Sequence, residues 1–160
     1  METKKFLKTF SDTTIILIYN YNFPNNIDSA TQKKWLKMNI EDPLTHKIIG
    51  CAMNVHNFLG NGFKEVIYQR ALAIELKDNG ICYHREKEVP IFYKERQIGT
   101  RRVDFLVEKK IMVEIKAVLQ LEDAHLAQGL NYLTAYNLEI GLLINFGGKR
   151  LDFKRLFRKN

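Results

Sequence analysis

From residue 42 onward, apolar and polar positions recur with helical and extended periods. A helix is predicted over 43–59, because apolar residues follow at helical spacing after an acidic residue and a proline at the first helical position. A second helix is predicted over 63–77, and Asn79-Gly80 supplies a typical helix end. Between them, Gly60 to Gly62 predicts a turn.

The second half of the chain has the alternation and punctuation of short strands. The predicted elements are an extended segment (83–93), a turn (94–99), a strand (101–107), a tight reversal (108–110), a strand (111–118), a helix (122–137), a buried strand (140–145) and a basic C-terminal segment. The order of helix, helix, three strands, helix and strand predicts an α/β sandwich around a mixed sheet.

Residues 1–40 do not continue this pattern. TTIILIYNYNF is typical of a strand, FPNNIDS of a turn and ATQKKWLKM of a short helix. We interpret 1–40 as an N-terminal appendage and 41–160 as one α/β domain.

The net charge of +7 is concentrated at the two ends of the chain. Residues 1–40 hold six Lys and three acidic residues, residues 149–160 hold six Lys or Arg and one Asp, and 41–148 sum to −1. Basic ends can neutralise phosphates, which favours a nucleic-acid partner, although a solvated tail that aids solubility explains the same charge.

Membrane anchoring and export are not predicted. The apolar stretch of 15–18 is too short to span a bilayer, and no signal-peptide cleavage site follows it. Cys51 and Cys82 lack a disulfide or zinc pattern, so we expect a cytoplasmic protein.

Three charged residues stand in the two predicted strands where a sheet should be apolar: Asp104, Glu114 and Lys116. Glu114 and Lys116 share one face, and the reversal at 108–110 brings Asp104 opposite the Glu114 region. Buried carboxylates that repel one another are costly, and a divalent cation such as Mg²⁺ removes both penalties. The alternative is a Glu–Lys surface pair on an exposed face of the sheet.

Two helices carry further candidates. Leu72 and Leu76 define the inner face of the second helix, and Glu65 lies on that face. The alternative is that Glu65 is a solvent-exposed carboxylate at the helix start, where it interacts favourably with the helix dipole. Gln128 and Tyr132 are i, i+4 neighbours on the helix of 122–137, opposite its leucines, and such a face is usually exposed to solvent.

These residues resemble a known family. The spacing D–x(9)–E-x-K of Asp104, Glu114 and Lys116 resembles the core of the PD-(D/E)XK nuclease superfamily. GFKEVIY (62–68) is similar to the signature of the GxxExxY family within it, and HLAQGLNYL (125–133) resembles the Q-x-x-x-Y element of the RecB-like branch. The resemblance covers about residues 44–158, and Val103 stands where the superfamily's namesake has proline.

The resemblance implies a restriction-endonuclease-like fold and a Mg²⁺-dependent nuclease, with Mn²⁺ as a substitute. It assigns the metal to Glu65, Asp104 and Glu114 and catalysis to these three and Lys116. Gln128 and Tyr132 would contact the nucleic-acid strand or support the site. DNA is favoured over RNA, and a homodimer is left open. The alternatives are a nucleic-acid-binding or adaptor protein without turnover, favoured by the near-neutral 41–148, and a structural domain whose carboxylates form surface ion pairs.

Overall fold

The computed structural model describes Asp28, Ala30 and residues 42–158 of the 160-residue chain. The strand, turn and helix predicted within 1–40 therefore lie outside the described residues, apart from those two positions.

Within residues 42–158, three helices flank five strands. The elements are α1 (Pro43–Leu59), α2 (Glu65–Asp78), β1 (Tyr83–Tyr93), β2 (Arg96–Val107), β3 (Ile111–Lys116), α3 (Asp123–Ala135), β4 (Ile140–Asn145) and β5 (Asp152–Phe157). The predictions of α1, α2, β1, α3 and β4 are confirmed to within two residues at each end.

Three sequence predictions are corrected by the structure. β2 begins at Arg96 and not at 101, because Tyr93 pairs with Arg96 across a hairpin and leaves only Lys94 and Glu95 in the turn. β3 ends at Lys116 and not at 118. The basic C-terminal segment contains β5. Its charged residues interrupt the alternation of apolar and polar residues by which a strand is recognised in a sequence. The segment is nevertheless a strand because it pairs with β4.

The sheet is mixed, with strand order β1-β2-β3-β4-β5. β3 and β4 are parallel and α3 connects them, while the other neighbouring strands pair antiparallel. Three residues, 108–110, connect β2 to β3; φ is positive at Glu108 (49°) and Lys109 (55°), and the Lys110 N–H donates to the Val107 carbonyl at 2.9 Å, which closes the turn.

Each face of the sheet has its own apolar cluster. On one face α1 and α2 pack against β2, β3 and β4 through fully buried residues such as Ile48, Leu72 and Val113. On the other face α3 contributes Leu133 to a smaller cluster that includes Met112 of β3. α1 begins where the Asp42 carboxylate accepts the Thr45 N–H at 2.7 Å. No helix in residues 42–158 is long and apolar enough to cross a bilayer.

The turn before α2 is held by a buried tyrosine. The Tyr68 hydroxyl donates to the Gly60 carbonyl at 2.9 Å and accepts from the Phe63 N–H at 3.2 Å. Its ring stacks on Phe146 with 4.6 Å between centroids. This arrangement fixes the start of α2, where Glu65 lies, against the end of β4.

The chain that follows β3 is held by the side-chain amide of Asn145, which is 1% exposed. Its oxygen accepts from the N–H groups of Val118 and Gly147, both at 3.0 Å, and its nitrogen donates to the Val118 carbonyl at 2.8 Å. A Cβ at Gly147 would overlap the backbone of Ala117 and Val118. The chain next to Lys116 is therefore closely packed.

We expect Gly147→Ala to lower the free energy of unfolding by about 1–3 kcal/mol, because backbone atoms must move to admit the methyl group. Gly50→Ala is the matched control: no atom lies within 4 Å of its added Cβ, and it should stabilise α1 by about 0.5–1 kcal/mol. Urea denaturation of both variants measures this difference, and equal stabilities would contradict the packing described here.

Candidate metal and nucleic-acid site

The candidate site lies where β2 and β3 stop pairing. Their ladder runs from Val107–Ile111 to Phe105–Val113. One residue further, the Asp104 carboxylate accepts the backbone N–H of Ile115 at 2.7 Å, a bond that a main-chain carbonyl would otherwise take. The strands stay connected there, and a carboxylate enters the interior.

Two more side chains orient Asp104, Gln69 by a direct hydrogen bond and Arg85 through Gln69. Gln69 of α2, which is 6% exposed, donates its amide to the other Asp104 oxygen at 2.9 Å. The Arg85 guanidinium on β1 donates to the Gln69 amide oxygen at 2.8 Å. This chain of hydrogen bonds fixes which way the Gln69 amide faces, and with it the rotamer of Asp104.

Glu114 and Lys116 point to the same side of β3, as predicted. The Lys116 ammonium lies 3.2 Å from the Glu114 Oε1, and their side chains are only 10% and 13% exposed, Glu114 the less so. The other oxygen, Oε2, is buried and has no hydrogen-bond partner among the described residues. A buried carboxylate with one unsatisfied oxygen is costly unless a cation or a proton meets it.

Glu65 stands at the rim of this group. It is exposed at the first residue of α2, and its carboxylate accepts the Ala117 N–H at a long 3.4 Å. It is close enough for its charge to act on Asp104 and on Glu114. Glu65 is thus a solvent-exposed carboxylate at the helix start whose charge also acts on Asp104 and Glu114.

The electrostatics of the site favour protonation or a cation. Burial, followed by the neighbouring charge of Asp104, raises the pKa of Glu114 from 4.5 to about 7. Burial also raises the pKa of Asp104, although its hydrogen bonds from Ile115 and Gln69 oppose that shift. The nearby ammonium of Lys116 lowers both pKa values but does not cancel the effect of burial.

These side chains fit a hard divalent cation in part. In residues 42–158, no group of three or more His, Cys, Asp or Glu side chains is arranged to hold a metal ion. Glu114, whose Oε2 is unpartnered, and Asp104, whose charge acts on it, nevertheless offer oxygen ligands. Mg²⁺ commonly takes one or two protein carboxylates and completes its shell with water and phosphate oxygens.

Gln128 and Tyr132 lie on α3, and the Gln128 amide donates to the Tyr132 hydroxyl at 2.9 Å. The expectation of a solvent-facing side is wrong for Tyr132, which is 7% exposed and packs in the cluster of Leu133 and Met112. Its face turns toward the sheet because α3 lies mainly across β4 and β5 and presents more than its leucines to them. Among the described residues, no hydrogen bond joins this pair to Glu114.

Sequence reasoning missed Gln69, Arg85 and Asn145. Gln69 could have been found, since it stands three residues before Leu72 and so is a polar residue on the inner face of α2. Arg85 and Asn145 carry no such signal, because their roles depend on which strands become neighbours.

Comparison with known proteins identifies the fold and its family. A sequence model described as the PD-(D/E)XK nuclease superfamily matches residues 42–156. The chain belongs to the PD-(D/E)XK nuclease superfamily. Its mixed five-stranded sheet flanked by helices is the restriction-endonuclease-like α/β fold that the sequence predicts.

The other comparisons add little to the superfamily assignment. A solved structure titled "Crystal structure of SSO0001" is similar at 16% identity and a TM-score of 0.47, over 100% of this chain and 79% of that one. No curated protein matches. PD-(D/E)XK proteins are generally nucleases that typically use divalent metals such as Mg²⁺, which favours a hydrolase acting on nucleic acid.

The raised pKa of Glu114 predicts a pH-dependent stability. The folded state keeps this proton to about pH 7 and the unfolded chain only to 4.5, so stability should fall by about 3 kcal/mol as the pH rises through that window. Glu114→Gln carries no titrating group and should retain that stability above pH 7. Urea denaturation in EDTA at pH 5 to 8 compares the two proteins, and parallel pH profiles would contradict a buried, perturbed Glu114.

Proposed function

We propose that this protein is a Mg²⁺-dependent nuclease that hydrolyses phosphodiester bonds with an activated water. One observation carries the proposal: Glu114 has a buried oxygen without a partner among the described residues, the charge of Asp104 acts on this carboxylate, and the Lys116 ammonium lies 3.2 Å from its other oxygen. Membership of a superfamily of nucleases supports the same conclusion.

Each residue has a role that follows from its contacts. Asp104 and Glu114 would hold the metal, and Glu65 at the rim would act as a further ligand or accept a hydrogen bond from water. A bound Mg²⁺ would polarise a phosphate oxygen and lower the pKa of a water molecule. Lys116 would donate to the charge that develops on the phosphate or orient the attacking water.

The finer assignments also belong to this proposal. GFKEVIY (62–68) supports the GxxExxY family, and the Gln128–Tyr132 hydrogen bond supports a RecB-like element that contacts the nucleic-acid strand. DNA over RNA, a homodimer, a cytoplasmic location and a separate appendage at 1–40 stay predictions from the sequence.

A second candidate is a nucleic-acid-binding protein on the same fold without turnover. It is favoured by the Asp104 carboxylate, both of whose oxygens already accept hydrogen bonds from the protein. Such a protein would bind nucleic acid in a salt-dependent way and release no metal-dependent product.

Cleavage assays separate the two candidates. Purified protein is incubated with labelled single- and double-stranded DNA and RNA in Mg²⁺, Mn²⁺ or EDTA. We expect product only with a divalent metal, and a loss of about 100-fold or more in Glu114→Gln and in Lys116→Ala, since each removes a group that acts on the developing charge. The exposed residues Glu139 and Lys110 provide matched controls as Glu139→Gln and Lys110→Ala.

Circular dichroism must show that both site variants remain folded. Cleavage retained by the Glu114→Gln, Lys116→Ala double variant, or wild-type cleavage that persists in EDTA, would contradict the proposed mechanism. Binding without any product would favour the second candidate.

The hydrogen bonds behind Asp104 predict an effect on metal affinity. Gln69→Leu and Arg85→Met should raise the Mg²⁺ concentration needed for half-maximal thermal stabilisation by about 10–100-fold, since the partners that orient a ligand contribute that much. Arg70→Met, at an exposed position of α2, is the control. An unchanged Mg²⁺ midpoint in both variants would show that Asp104 does not need this support.

A further inference from the structure

The β1–β2 hairpin extends beyond the rest of the sheet. β3 pairs with β2 only between Phe105 and Val107, whereas β1 pairs with β2 as far as Tyr93 and Arg96. Outward from Val103, the two strands form a ribbon with no third strand beside them among the described residues.

The register of the ribbon separates its charges by face. On one face lie Val103, paired with Lys87, then Arg101, paired with Val89. After Ile91, the last pair on this face is Tyr93 with Arg96. Paired residues point to the same side of a ribbon and alternate residues share a face, so these side chains form one surface. We call it the basic face, defined by Lys87, Tyr93, Arg96 and Arg101.

The opposite face holds the acidic residues of the strands. Glu88 pairs there with Arg102, and the Arg102 guanidinium also lies 3.8 Å from the Glu86 carboxylate. Phe92 pairs with Gln97 on that side. Arg102 thus has two acidic neighbours, Glu86 and Glu88, while the basic face between Lys87 and Arg96 contains no acidic residue.

The hairpin is also the positive part of an otherwise acidic region. Residues 83–102 hold six Lys or Arg and three Glu, while the rest of 41–148 holds seven Lys or Arg and eleven Asp or Glu. A polyanion approaching this region is therefore attracted to the ribbon.

An exposed aromatic ring stands at the tip of the basic face. Tyr93 is 63% exposed, and the Lys94 ammonium lies 5.6 Å from its ring centre. The register shifts between Ile91 and Phe92, which leaves Ile98 as an extra, exposed residue and adds twist to the tip. An exposed ring with Lys94 over it and Arg96 as its cross-strand neighbour is suited to a nucleotide, because the base can stack on the ring while the phosphate binds the two cations.

The basic face continues into the candidate site. Val103 belongs to the α3-side cluster together with Met112, and Glu114 and Lys116 follow Met112 at alternate positions of β3. The Tyr136 hydroxyl at the end of α3 contacts the carbonyls of Lys87 and Arg101 and so fixes the base of the ribbon. At ~3.3 Å per residue, the stretch of β1 from Lys87, the partner of Val103, to Tyr93, the partner of Arg96, spans about 20 Å, a length suited to several nucleotides.

We propose that the basic face of the β1–β2 ribbon binds a single-stranded nucleic acid and leads it to the carboxylate site. The inference deepens the proposed function and rests on it for the fate of the bound strand. A single strand is favoured over a duplex because the exposed Tyr93 ring needs an unpaired base, whereas the bases of a duplex are already stacked on their neighbours.

Fluorescence anisotropy of the full chain in EDTA measures this binding without cleavage. The probes are single-stranded DNA, single-stranded RNA and a DNA duplex of equal length. We expect tighter binding of a single strand than of the duplex, and a loss of about tenfold in Tyr93→Ala, which removes one stacked base. Phe92→Ala is the matched control, because Phe92 is 58% exposed on the opposite face, and it should bind as the wild type does.

The charges are tested separately. In the double variant that combines Arg96→Ala with Arg101→Ala, the slope of log affinity against log salt concentration should fall in magnitude by about 1.4. This is the value for two phosphate contacts on a single strand. The control is the double variant that combines Arg70→Ala with Lys77→Ala. It removes two exposed charges from α2 and should leave the slope unchanged. The inference is overturned if Tyr93→Ala and Phe92→Ala bind alike, if both double variants change the slope equally, or if the duplex binds best.

The outcome for the ribbon is distinguishable from the outcome for the nuclease. Metal-dependent cleavage with normal binding by Tyr93→Ala would overturn the ribbon assignment and leave the nuclease in place. Single-strand binding that depends on Tyr93, without any metal-dependent product, would support the ribbon and reject the nuclease.

Discussion

The site depends on a side chain that takes the place of the backbone. Where the β2–β3 ladder ends, the Asp104 carboxylate accepts the Ile115 N–H at 2.7 Å, so the two strands remain joined although their main chains no longer pair. Since Glu114 directly precedes Ile115, the same bond brings two carboxylates to one place. A sheet that continued its regular pairing would have no room there for a charged group.

This arrangement has a cost that the rest of the fold offsets only in part. Gln69 donates to Asp104 and is itself oriented by Arg85, and Lys116 donates to one oxygen of Glu114. The remaining Glu114 oxygen is left without a partner among the described residues, and burial together with the charge of Asp104 raises the pKa of Glu114 to about 7. Ionisable groups with strongly shifted pKa values are common at functional sites. A cation bound to the unpartnered oxygen of Glu114 would offset the cost of burying that carboxylate.

Local patterns predicted the helices and most strands, because their signals lie within one segment: a proline at the start of α1, Asn79-Gly80 after α2, and an uninterrupted apolar β4. Asp104 and Glu114 stood out for the same reason, as charged residues in apolar strands. β5 and the role of Arg85 depend instead on which strands become neighbours, and the burial of Tyr132 depends on how α3 lies across the sheet. Such relations are set by packing and leave no trace in spacing.

The central claim is that Asp104 and Glu114 share one divalent ion. Anomalous diffraction from a crystal soaked in Mn²⁺ tests it most directly, since manganese scatters anomalously and substitutes for Mg²⁺ at oxygen sites. We expect one strong peak within coordinating distance of both carboxylates, with Lys116 beside it. A peak elsewhere, or none at a Mn²⁺ concentration that saturates the protein in solution, would contradict the account.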